Sequence, residues 1–205
     1  MARGEPLLNE ILRDRDLWSR FREESLDLAR EHAVHDVRFN VSTIMPTLPE
    51  DAPWPRLDRV LSDPAITLYY SLYSLRPAFR RRWLPKTVDP HAALRTLAAW
   101  QDATGNEVAL HWAFIEGEND DEATVDEIIA AVRESGLRPK FNAVRYNPFD
   151  ERRGREPEEH VVEARFRQLA DAFGDPSSRI VPRVGFSAKA SCGMFVERPQ
   201  GNPAR

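Results

Sequence analysis

AITLYYSLY, residues 65–73, is apolar nearly throughout. A strand with one face in water alternates apolar and polar residues. A strand covered on both faces does not, and that pattern belongs to parallel sheets flanked by helices. Upstream, residues 36–43 (DVRFNVST) alternate, with Val37, Phe39 and Val41 on one face. Downstream, residues 107–116 (EVALHWAFIE), 139–146 (PKFNAVRY) and 179–184 read as further strands. Helical stretches lie between them: 90–103 closed by Gly105, 120–135 with Val125, Ile128, Ile129 and Val132 on one side, and 158–173 stopped at Gly174. Residues 7–33 read as helix with a break near Arg15-Asp16, and 55–61 and 76–83 as short helices. Pro46, Pro49, Pro53 and Pro55 exclude regular helix from the loop they occupy. Strands recur roughly every 30 to 40 residues with helix between them, which predicts repeated right-handed βα units on a parallel sheet.

The chain has 205 residues, 41% hydrophobic and 30% charged, a globular composition long enough for one real core. Its net charge of −4 provides no global positive field for nucleic acid, so an RNA contact has to be a local patch. One cysteine, Cys192, excludes an internal disulfide and an all-cysteine metal site within one chain. There is no apolar run of membrane-spanning length and no signal-peptide core, so a cytoplasmic protein is expected, without a membrane partner. His32, His35, His91 and His160 show no metal-ligand spacing. His111, on an otherwise apolar strand, reads as a hydrogen-bonded core residue.

In a parallel barrel, function gathers where strands end. Gly4-Glu5, Ser42-Thr43, Ser71-Leu72-Tyr73, Glu116 with Asn119-Asp120, and Asn147 are small or polar residues that close apolar runs. Gly4-Glu5-Pro6 is the most pointed of these. A glycine admits close backbone approach, a carboxylate accepts from an ammonium group, and a proline starts the next helix. The strand that should precede this loop is absent. Together these residues offer hydroxyls, an amide and a carboxylate, a set that suits a zwitterionic, ribose-bearing ligand better than a metal. Arg80, Arg81 and Arg82 read either as phosphate contacts or as a solvated helix face. Trp54, Trp83, Trp100 and Trp112 read as core.

These residues carry a resemblance. The chain resembles the C-terminal two-thirds of the radical SAM enzymes that methylate adenine C2 in ribosomal RNA, and their C8-methylating relatives. GEPLLN at 4–9, VST at 41–43, Ser71-Leu72-Tyr73, the run from Arg80 to Pro85, Glu116 to Asp120, Asn147-Pro148-Phe149 and Ser191-Cys192-Gly193 are similar to that family's motifs, in the same order. The resemblance implies an incomplete parallel (β/α) barrel of the radical SAM type, lacking its first strands. Residues 1–175 would form the partial barrel, and 176–205 a C-terminal strand with the methyl-carrier segment. It implies that Gly4 and Glu5 hold the amino group of S-adenosylmethionine. Ser42, Ser71, Leu72, Tyr73 and Asn147 would contact the same ligand, and Cys192 would carry the methyl group. The implied partner is ribosomal or transfer RNA.

The chain also departs from that family. A radical SAM [4Fe–4S] cluster needs a Cys-x3-Cys-x2-Cys loop, and one cysteine cannot replace three thiolates. The second catalytic cysteine of the family has no counterpart either. The expectation is a C-terminal part that is inactive alone. The cluster would be present only if an upstream segment, such as a separately encoded N-terminal half, supplies its ligands. Tyr73 replaces a family histidine, His111 stands where the family often has Glu, and residues 185–190 replace an acidic stretch. Two other readings remain: a degenerate, non-catalytic module that binds S-adenosylmethionine or RNA, and a different barrel enzyme using Glu5, His111 and Cys192 without iron.

Overall fold

The structure, a computed structural model, describes residues 11, 14–47, 56–148 and 154–183. Helix α1 spans Arg15–Glu31. The break expected near Arg15-Asp16 is its N-cap: the Asp14 carboxylate accepts from the Asp16 N–H at 3.0 Å. Strand β1 (Phe39–Thr43), the short helix α2 (Leu57–Val60) and strand β2 (Ile66–Tyr70) follow. Helix α3 (Pro77–Trp83) and helix α4 (Pro90–Thr104) lead into β3 (Glu107–Trp112). Helix α5 (Glu122–Ser135), β4 (Lys140–Ala143), α6 (Glu159–Phe173) and β5 (Arg179–Ile180) complete the order.

The helix ends follow the local chemistry of the sequence. Asp89 and Asp121 cap α4 and α5 by accepting from the N–H groups of Ala92 and Thr124. Gly105, Gly136 and Gly174 close α4, α5 and α6 in the left-handed conformation, which glycine adopts without steric cost.

All five strands are parallel and lie in the order β1-β2-β3-β4-β5. Each crossover therefore reaches the immediate neighbour, and right-handed crossovers of that kind all pass over one face of the sheet. This is the expected partial (β/α) barrel. β5, which the sequence assigns to segment 176–205, joins the same sheet.

The helices bury one face. Phe39, Val41, Ile66, Leu68, Tyr70, Val108, Leu110, Trp112, Phe141 and Ala143 pack with Trp18, Leu94, Leu97, Trp100, Val125, Ile128, Val132, Val162 and Leu169 into one core. Trp112 meets Phe141 with ring centroids 4.5 Å apart. Trp100 is fully enclosed and donates from Nε1 to the Leu61 carbonyl at 2.8 Å. Trp100 and Trp112 are thus core, as the sequence indicates, whereas Trp83 is only half-buried. Trp54 lies outside the described residues.

The strands are shorter than their apolar runs. The run 107–116 leaves the ladder after Trp112 because the Ile115 N–H turns to the Asn119 side chain and the Glu116 N–H to the Arg155 carbonyl. AITLYYSLY is not equally covered on both faces: Ile66, Leu68 and Tyr70 are buried, but Thr67 and Tyr69 are only half-buried. The second face is the inner, polar one. No described helix is long and apolar enough to cross a membrane.

Candidate functional site on the inner face

The face opposite the helices carries Asn40 and Ser42 from β1, Thr67 and Tyr69 from β2, with Ser71 just beyond it. β3 adds Glu107, Ala109 and His111, β4 adds Lys140 and Asn142, and β5 adds Arg179. Side chains two apart along a strand share a face, and register carries that face across the sheet. Near the N-terminal ends the face is closed by its own pairs. Lys140 bonds Glu107, Thr67 Oγ1 donates to Glu107 at 3.3 Å, and the Lys140 ammonium lies 5.7 Å from the Tyr69 ring centroid.

Toward the C-terminal ends the pairing is incomplete. Ser71 Oγ lies 2.9 Å from His111 Nε2. Among the described residues the other ring nitrogen, Nδ1, is buried with no partner, and so is Asn142 Oδ1. Asn147, four residues beyond β4, donates from Nδ2 to the Arg145 carbonyl at 3.2 Å and keeps a buried, unpaired Oδ1. Buried polar atoms in native proteins are paired with protein or ordered water, which leaves the three at this end to be met by water or by a bound molecule. Burial pulls the His111 imidazole down to about 4, so the ring is neutral at physiological pH.

That shift has a consequence for stability. Unfolded, His111 protonates near 6.5; folded, it resists until about 4. The unfolded chain therefore binds the extra proton first as pH falls. The contribution of His111 is fully present above pH 6.5 and is lost progressively down to about pH 4, amounting to up to about 3 kcal/mol. Denaturant midpoints measured between pH 7 and 4.5 are expected to fall, and His111→Gln to flatten the slope. An equal slope in both proteins would contradict the burial of the ring.

The loops at this end are held by two buried polar residues. Asn119 is fully buried. It donates to the Tyr73 and Ala113 carbonyls at 3.0 and 3.2 Å and accepts from the Ile115 N–H at 2.7 Å. Tyr73 has φ of 60°, a conformation uncommon outside glycine, and is held there by that bond and by stacking on Phe79. Arg80 is buried and is not the phosphate contact or solvated residue its sequence suggests. It donates to the carbonyls of Leu72, Ser74 and Val88 and to Thr87 Oγ1, at 2.8–3.3 Å. Arg82 pairs with Glu118 and lies 5.1 Å from the Trp83 ring centroid. Arg155 pairs with Glu116 as a surface ion pair.

The sequence-derived site residues distribute as follows. Ser42 is exposed on the inner face of β1, opposite Tyr69 in register, and on the same face as Ser71, whose N–H donates to the Thr43 carbonyl. Leu72 points into the core, and its carbonyl is taken by Arg80 and the Ser74 N–H. Tyr73 and Asn147 stand at the C-terminal ends of β2 and β4. Gly4, Glu5 and Cys192 lie outside the described residues. Asn142, which carries only a faint functional signal in the sequence, stands beside His111 on the inner face. That signal is a polar residue in the short strand KFNA, two residues after Lys140, whose register with β3 is invisible in sequence. A groove of about 650 Å³ lined by Trp18, Arg22, Arg59 and Asp63 lies at the opposite ends of the strands. There Arg22 is paired with Asp63.

Among the described residues no three His, Cys, Asp or Glu side chains are grouped to hold a metal ion. With one cysteine in all, the residues of this chain do not fit an iron–sulfur cluster. The unpaired atoms of His111, Asn142 and Asn147 do fit the uncharged, hydrogen-bonding part of an organic ligand.

No protein-family profile matches the chain. Its fold is similar to a radical SAM methyltransferase from Sphaerobacter thermophilus, with a TM-score of 0.58 and 20% identity over 80% of this chain. The chain spans 46% of that protein, less than half its length. It is also similar to a domain of a pyruvate-formate lyase-activating enzyme from Bacteroides vulgatus, with a TM-score of 0.54 and 16% identity over 82% of this chain and 94% of that one. Likeness at this identity establishes a shared fold alone, a parallel (β/α) sheet.

Proposed function

We propose that this chain holds S-adenosylmethionine against the inner face of its partial barrel, as the C-terminal part of a radical SAM RNA adenine methyltransferase. The observation that supports this reading is the row Ser71–His111–Asn142 at the C-terminal ends of the strands, where Ser71 Oγ meets His111 Nε2 and the buried His111 Nδ1 and Asn142 Oδ1 have no partner among the described residues. The radical SAM-like fold and the ordered sequence motifs support it.

Glu5 accepts from the ligand's ammonium and Gly4 gives its backbone room to do so. Ser42 and Ser71 offer hydroxyls, Tyr73 its position beside the mouth, and Asn147 an amide. Leu72 contributes by fixing the loop between Ser71 and Tyr73. When bound, the cofactor supplies a methyl sulfonium, and Cys192 is the residue assigned to carry the methyl group. RNA is the proposed substrate. Cluster cysteines have to come from another segment, for example a separately encoded N-terminal half.

Isothermal titration with S-adenosylhomocysteine tests the binding. The expected result is one site per chain, weakened about fivefold by Ser71→Ala, the loss of one hydrogen bond. A chain that releases no heat with this probe sinks the reading. The single cysteine favours a second reading, a binding module without catalysis. A cluster-bearing segment supplied in trans separates the two. RNA methylation that depends on Cys192 supports the first, and binding without turnover supports the second.

A further inference from the structure

His111 and Asn142 are register partners on β3 and β4 and project from the same face. Neighbouring strands lie about 4.8 Å apart, so the imidazole and the carboxamide stand side by side. His111 Nδ1 and Asn142 Oδ1 branch from corresponding positions in their side chains, and each is buried without a partner among the described residues. Asn142 is 6% exposed, so its carboxamide has little recourse to solvent.

The remaining imidazole nitrogen decides what can satisfy them. His111 Nε2 lies 2.9 Å from Ser71 Oγ, and a serine hydroxyl can donate or accept there. The ring is neutral, so one proton is shared between two nitrogens. A bare Nδ1 beside the Asn142 oxygen would set two acceptors next to each other. A protonated Nδ1 sets a donor beside an acceptor instead, with the Ser71 hydroxyl donating to Nε2. Such a pair is complementary to a planar edge on which an N–H adjoins a ring nitrogen. The weak basicity of a ring that protonates only near 4 argues against general-base work and for recognition.

We propose that His111 and Asn142 form a specificity pair for the 6-amino edge of adenine. The Asn142 oxygen accepts from the exocyclic amine, and His111 Nδ1–H donates to N1, the adjacent ring nitrogen of the Watson–Crick edge. Ser71 is the positioning residue that holds the imidazole in this tautomer. The inference rests on reading this face as an adenosyl site, and it names how that site tells adenine from other bases. A 6-oxopurine reverses both the donor and the acceptor and is rejected by the same pair.

Titration of the full chain with S-adenosylhomocysteine and with its inosyl analogue reads the preference directly. The adenosyl compound is expected to bind about ten- to a hundredfold tighter, the discrimination of one bidentate pair. Asn142→Ala should bring the two within about threefold. Two substitutions at 111 then separate recognition from packing. Asparagine places its amide where Nδ1 stands, while glutamine reaches the position of Nε2. His111→Asn should keep most of the preference and His111→Gln should lose it. The tautomer is read independently by nitrogen NMR of the unliganded chain, with Nδ1 protonated and Nε2 bare. Equal binding of the two analogues, retained preference in His111→Gln, or the opposite tautomer overturns the pair while leaving the adenosyl site standing. Failure of both analogues to bind overturns the site and the pair together.

Discussion

Asn119→Ala is expected to destabilise the fold by about 4 kcal/mol, from three backbone groups left buried without partners at roughly 1–3 kcal/mol each. Those groups are the Tyr73 and Ala113 carbonyls and the Ile115 N–H. Asn119 has no exposure, so water cannot replace the lost bonds without opening the loop. Asn119→Asp is a sharper probe. It keeps the acceptor for Ile115 but turns a carboxylate toward two carbonyl oxygens, and it should do no better than alanine. Urea denaturation monitored by tryptophan fluorescence gives both values. A loss below about 1 kcal/mol in either variant would mean that the β2 and β3 loops are held by other contacts. Because Asn119 also holds Tyr73 at its positive φ, the alanine variant should weaken the proposed adenosyl binding as well.

Arg80→Met is expected to cost about 3–4 kcal/mol. The methionine fills most of the volume but leaves the Leu72, Ser74 and Val88 carbonyls and Thr87 Oγ1 without their guanidinium donor. Charged hydrogen bonds contribute about 1.5–3 kcal/mol each before the cost of burying the cation is counted, which is why the net is smaller than their sum. Arg80→Lys should recover less than half. An ammonium has three donors at one point, whereas the guanidinium serves two pairs of acceptors from two separate nitrogens. In a domain of this size the loss corresponds to a fall in Tm of about 10 °C. Differential scanning calorimetry decides it, and an unchanged Tm in Arg80→Met would refute the assigned role.

These two residues mark the limit of what could be read in the chain itself. The alternation of apolar strands and amphipathic helices was legible because periodicity and capping are local, and the helices α4, α5 and α6 appear within a residue or two of their expected bounds. Strand lengths were not legible, since a strand ends where its neighbour stops offering partners. Arg80 looked like its neighbours Arg81 and Arg82 because its acceptors are mostly backbone carbonyls, which leave no mark in side-chain identity. Ser71 was visible as a polar residue after an apolar run. Its partner His111 is 40 residues away, and only the register of β2 with β3 brings the two together. Asn142 was hidden for the same reason.

The order β1-β2-β3-β4-β5 has a consequence for how the chain reaches this state. Register partners in the sheet are between 27 and 40 residues apart, from Phe39 with Ile66 to Thr67 with Glu107. Loop-closure entropy grows only slowly with length, so every pairing carries nearly the same entropic cost. No strand has to wait for a distant partner. Each unit can settle on the one made just before it while the rest is still on the ribosome, which suits assembly in the direction of translation.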